Sequence, residues 1–160
     1  ESRRKLLRAL ASRGIRVVAY DSLRLADQAW LRQHYIDNVF PLVTPQSIDP
    51  AHPFPFVSNL SLNLLVSVRA PSDGTSVLSR VKLPLGGGIT RFVRVRDTQT
   101  FVMLEELMSH NLELLFPDTI VESCELFRVT RNAIAEKDEE QADDDVRIRL
   151  REQGCYRRAI

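Results

Sequence analysis

No stretch of this 160-residue sequence holds more than a few consecutive apolar residues, far short of the roughly 20 that a bilayer-spanning helix requires. A membrane-crossing helix is therefore not expected. Cysteine is scarce: Cys124 and Cys155 stand alone, without a CxxC spacing, and only three histidines accompany them. That poverty argues against a zinc site or a disulfide framework, and both cysteines are expected as reduced thiols. Glycine is also sparse, and half of it is spent in one run, Gly86 to Gly88. The run LGGGITR lacks the lysine and the strand-to-helix setting of a phosphate-binding loop, so it reads as a tight hairpin turn. Aromatics make up 7% of the chain, and only Phe92 is placed to offer a base-stacking surface on a strand, which weakens an RNA-binding reading. The opening ESRRKLLRAL is basic and amphipathic and carries no leader pattern, so the expected location is the cytoplasm.

The sequence does contain enough apolar material, 44% against 27% charged, for one substantial core. One main domain is the expectation. Net charge is +1, yet residues 1–100 carry 14 Lys and Arg against 7 Asp and Glu, and residues 101–160 carry 8 against 14. An anion-facing surface in the first part and a solvated acidic segment in the second fit this asymmetry better than a uniformly basic nucleic-acid binder.

Leu6, Leu7 and Leu10 fall on one helical stripe, with Gly14 as the candidate C-cap. Residues 15–20 form a short extended run closing on Asp21 and Ser22. The stretch from Asp27 to about Val39 places Trp30, Leu31, His34 and Tyr35 at helical spacing, with Asp27 as candidate N-cap and Pro41 as terminator. Five of the eight prolines lie in residues 41–55, which predicts an irregular connector anchored by Phe54 and Phe56. Leu60, Leu62, Leu64, Val66 and Val68 then alternate with Ser61, Asn63, Leu65, Ser67 and Arg69, the pattern of a half-buried strand. A second strand over 77–84 puts Val77, Ser79, Val81 and Leu83 on one face, opposite Leu78, Arg80 and Lys82. A third over 89–97 sets Val93 and Val95 opposite Phe92, Arg94 and Arg96. Three consecutive antiparallel strands are the expectation. An amphipathic helix over 103–116 and an extended segment over 119–131 follow. Seven acids and one lysine occupy 136–145, and five arginines lie in 147–158, a composition predicting a mobile helix or partly disordered end.

Candidate chemistry is thin. Nothing beside Cys124 or Cys155 supplies an oriented base, and His34, His52 and His110 lack a second ligand or base at useful spacing, so neither a catalytic residue nor a metal site is assigned. The acidic run has neither the glycine nor the alternating oxygen ligands of a calcium loop. The basic residues on the strands are a better candidate. Arg80 and Lys82 would share a face with Arg94 and Arg96 if those two strands paired as a hairpin, and arginines so spaced suit bidentate capture of phosphate oxygens. Arg128 and Arg131 form a weaker second group. A plain solvated sheet face is the competing reading for the first four.

The residues 49–66 (DPAHPFPFVSNLSLNLLV), 80–84 (RVKLP), 91–95 (RFVRV), 101–117 (FVMLEELMSHNLELLFP) and 127–133 (FRVTRNA), in this order, resemble the middle, or head, domain of the larger, histidine-phosphorylating polyphosphate kinase family. Residues 30–50 are similar to the approach to that domain, so the resemblance covers roughly residues 1–140. It implies an enzyme that reversibly moves the terminal phosphate of ATP onto polyphosphate through a phosphohistidine, with magnesium, as a homo-oligomer. In that family the nucleotide and the reactive histidines belong mainly to two C-terminal domains, and the head domain supports dimer contacts. No histidine of this chain matches a reactive position. The closing DDDVRIRLREQGCYRRAI departs from the family pattern, which leaves the last element of the domain in question.

The expectation is thus an α+β fold, an antiparallel sheet flanked by helices with an N-terminal helical segment. Residues 1–20 would end a preceding helical domain, and 21–160 would form the head domain, with 136–160 atypical. The resemblance implies a structural, oligomerising fragment that is inactive alone and needs no cofactor itself, while ATP and Mg2+ serve the parent enzyme, whose other domains are its partners. The parent would be cytoplasmic or peripheral at the membrane. A stand-alone module binding polyphosphate or RNA is the alternative.

Overall fold

The computed structural model describes residues 2–48, 56–72 and 74–130. Phe54, His52, Arg131, Cys155 and the 136–160 segment, for which expectations were set out above, lie outside them. Along the chain the elements are α1 (Ser2–Ala11), β1 (Arg16–Val17), α2 (Leu25–Asn38), β2 (Pro45–Ile48), β3 (Leu62–Arg69), β4 (Ser76–Lys82), β5 (Phe92–Arg94), β6 (Thr100–Met103), α3 (Leu104–Ser109) and β7 (Ile120–Arg128). The fold is mixed α+β, as expected. It divides into two compact units that interleave in sequence, Glu1–Leu42 with Pro84–Leu112, and Val43–Leu83 with Glu113–Ile160.

In the first unit, α1 stops where its sequence says it should. Gly14 adopts φ +80°, the N–H of Ile15 reaches back to the Leu10 carbonyl at 3.0 Å, and that of Gly14 to Ala11 at 3.0 Å. This left-handed closure satisfies carbonyls the helix leaves open. The short run after it becomes β1, which pairs in parallel with β6, and β6 pairs antiparallel with β5. Helix α2 begins three residues earlier than expected: Arg24 is the N-cap, without a side-chain bond, and Asp27 sits inside the first turn. An acid in that turn still suits the helix dipole. Leu31 and Tyr35 of α2, Val93 and Val102 of the sheet, and Leu104, Leu107 and Met108 of α3 are buried. Each such side chain contributes about 1.5–3 kcal/mol relative to exposure.

The helix expected over 103–116 is much shorter. Asn111 ends it, because its Nδ2 donates to the Leu107 carbonyl at 2.7 Å while its Oδ1 accepts from Arg32 at 2.7 Å. A side chain bonded to the backbone in this way competes with helical pairing. The next residues tighten into a 3-10 turn at Leu112–Leu114.

The second unit is a four-stranded antiparallel sheet in the order β2-β4-β3-β7. Its alternation is the one the sequence announces: Leu64, Val66, Val68 and Val81 are buried on one face. Three expectations fail here, the first being that Phe56 anchors the connector, since its side chain is exposed. The proline-rich connector contains a strand, since Pro45–Ile48 pairs with β4. Proline is admissible there because it opens an edge strand, where its missing N–H costs no ladder bond. The β4–β5 hairpin does not form either, as β5 belongs to the β1-β6-β5 sheet. Gly86 and Ile89 close a two-residue turn of their own, with Gly87 and Gly88 at φ +58° and +97°, conformations that only glycine adopts easily. Beyond it β5 meets β6, its sequence neighbour, a pairing with little loop-closure entropy to offset.

Candidate functional site

The β4–β5 hairpin on which the anticipated basic face depended does not form. Arg80 and Lys82 stand on β4, Arg94 on β5, and Arg96 in the turn after β5, so no hairpin carries all four to one surface. Arg80 is the most altered. It is only 8% exposed, because its Nη1 donates to the Phe56 carbonyl at 2.9 Å and its Nη2 donates to Gln46 Oε1. Burial lowers its pKa, the usual direction for a cation removed from water.

Arg94 and Arg96 are spent locally. Arg94 Nε donates to the Thr98 carbonyl at 2.6 Å, closing the β5–β6 turn on itself. Arg96, at φ +50°, binds Asp27 Oδ1 at 3.0 Å and the Ala26 carbonyl at 2.9 Å, tying the same turn to the start of α2. Lys82 and Arg128 are exposed at strand ends, paired across β3 with Asn63 and Leu62 respectively. They therefore point to opposite faces of the sheet.

His110 is the best-built polar centre among the described residues, and sequence reasoning missed it. Its ring stacks on Tyr20 with centroids 4.3 Å apart. Nε2 lies 2.8 Å from Asp21 Oδ1, and Nδ1 lies 2.7 Å from the Glu106 carbonyl. The Glu106 carboxylate accepts the Tyr20 N–H at 3.1 Å. Both ring nitrogens thus lie against oxygen acceptors of the chain itself. The cluster joins Tyr20–Ser22 to the end of α3. Its members are almost ninety positions apart, so no spacing rule could have brought them together. His34 stacks on Trp30 one helical turn away, at 5.4 Å, and its ring contacts Asn38 Nδ2.

Two further groups are inert. Burial, aided by nearby Glu125, pushes the Cys124 thiol up to about 12, so it stays protonated near neutrality. Arg91 and Glu105 form a two-pronged ion pair in which the carboxylate is largely buried. No cluster of His, Cys, Asp and Glu suited to a metal occurs among the described residues. Nor, among them, is any helix long and apolar enough to cross a membrane.

These features define an α+β fold in which Arg80, Arg91, Arg94, Arg96 and His110 are held by contacts within the chain. Comparison with known proteins places it. The family model for the polyphosphate kinase middle domain matches residues 26–159. The polyphosphate kinase of Synechocystis sp. is 42% identical over 146 residues, covering 84% of this chain and 20% of the relative. That of Mycobacterium leprae is 42% identical over 154 residues, covering 87% and 21%. In the crystal structure of polyphosphate kinase from Porphyromonas gingivalis the same fold recurs, with a TM-score of 0.72 at 22% identity over 91% of this chain and 24% of that one. The chain belongs to the polyphosphate kinase family, as a piece matching its middle domain, and it spans about a fifth of the length of these curated relatives.

Proposed function

We propose that this chain is a supporting, oligomer-forming part of an enzyme that reversibly transfers the terminal phosphate of ATP to polyphosphate, and that it does not catalyse the transfer alone. The observation that carries this reading is the middle-domain match over 26–159, joined to a framework in which His110, Arg80, Arg91, Arg94 and Arg96 are each engaged within the chain. ATP, Mg2+, the phosphohistidine and the remaining domains belong, on this proposal, to the parent enzyme. So do a cytoplasmic location and any peripheral contact with a membrane. Residues 1–20, which lie ahead of the family match, would close a preceding helical domain. Sedimentation velocity on the purified chain over a concentration series tests the oligomer claim. A mass of two or more chains is expected, and a monomer at every concentration contradicts it.

The polyanion-binding alternative now rests on Lys82, Arg94, Arg96 and Arg128, since Arg80 is turned inward. Arg131, outside the described residues, remains a fifth candidate. Binding of polyphosphate that weakens steeply with salt and is lost when Lys82, Arg94 and Arg96 are neutralised together would support it. Affinity indifferent to both would exclude it.

A further inference from the structure

Arg80 and Asn63 stand on neighbouring strands and on the same face of the four-stranded sheet, the one opposite Leu64 and Val66. Asn63 faces Lys82 across the ladder, so Arg80, two positions along β4, is its diagonal neighbour, within reach of a long side chain. This corner of the face is closed to solvent: Asn63 is 0% exposed, Phe127 7% and Arg80 8%. Residues 56–61 are tied across it at both ends. The Phe56 carbonyl accepts from Arg80 at 2.9 Å, and the Leu60 N–H donates at 2.9 Å to the carbonyl of Val129, just past β7. Val57, between those ties, is 2% exposed.

Under this strap two polar atoms lack a partner, Arg80 Nε and Asn63 Oδ1. One is a donor on a cation and the other an acceptor. The orientation of the amide is set by its other end, where Nδ2 donates to the Ser61 carbonyl at 3.0 Å and to Ser61 Oγ at 3.0 Å. Turning the amide over would set its oxygen against a carbonyl that can only accept. Leaving such groups unsatisfied is destabilising, so buried orphans of this kind are rare in folded proteins.

We propose that the strap of residues 56–61 seals an internal water against the sheet, where it accepts from Arg80 Nε and donates to Asn63 Oδ1. Water is favoured over an anion by the mismatch of roles. A carboxylate or a fully ionised phosphate offers only acceptors and would leave Asn63 short, whereas a hydroxyl satisfies both groups at once. The arrangement makes Arg80 an interior residue that ties strap, β2 and solvent together, and it removes that guanidinium from any polyanion surface.

A high-resolution crystal structure of this chain tests the proposal. The expected result is a solvent peak within hydrogen-bonding distance of both Arg80 Nε and Asn63 Oδ1. Protein partners on both atoms, or solvent on one or neither, would overturn it. A stability cycle gives an independent readout. If one water serves both groups, Asn63→Leu and Arg80→Met are coupled, and the double variant loses less stability than the two single losses added together. Strict additivity in urea titrations counts against a shared water. Should a variant fail to fold, the crystal structure of the unaltered chain still decides.

Discussion

Glu122 illustrates how one side chain can carry a measurable share of pH dependence without belonging to any active site. It occupies the bulge where the β3–β7 register shifts, and there it accepts from Ser76 Oγ at 2.9 Å and Ser67 Oγ at 3.1 Å and pairs with Arg69 at 2.8 Å. The Ser76 bond above all, helped by Ser67 and Arg69, holds its carboxyl below the ordinary range, against desolvation, which raises it. For a depressed acid the stabilisation is present above the unfolded-state pKa and is lost as pH falls through the folded value. Glu122→Gln is therefore expected to lower the urea midpoint at neutral pH and to leave it unchanged in strong acid. A deficit of equal size at both ends of the titration would show that the carboxylate charge is irrelevant. Arg80 teaches the complementary lesson. Its position on the polar face of β4 was readable from alternation, but its burial depends on Gln46 and Phe56, which approach from elsewhere in the chain.

Elements with local causes were the ones the sequence announced. Periodicity identified α1, α2, β3, β4 and β7, and Gly14 marked the end of α1 because only a residue tolerating a left-handed backbone closes that helix so tightly. Replacing Gly14 with Ala is expected to cost about 1 kcal/mol through backbone strain, although the space for a methyl is open there. Asn111→Ala should cost more, about 2 kcal/mol, by stripping partners from the Leu107 carbonyl and from Arg32. Chemical denaturation of both variants checks this order, and an Asn111→Ala protein as stable as the parent would refute the account of why α3 is short. What local patterns could not disclose was partnership. The pairing of β5 with β6, the edge strand hidden among prolines, and the Asp21–His110 contact are all choices made between segments, and no alternation or spacing within one segment encodes them.

At the scale of the whole molecule, the chain is a piece of the polyphosphate kinase family whose sequence divides into two compact units, and its proposed role is support without chemistry. The described histidines fit that assignment: His34 and His110 are occupied by stacking and by short polar contacts within the chain. Transfer of phosphate from ATP to polyphosphate, measured with Mg2+ on the purified chain beside a complete polyphosphate kinase, tests the claim most directly. The account predicts no turnover above background from the chain and normal turnover from the complete enzyme. Sustained polyphosphate synthesis by the chain alone would contradict it.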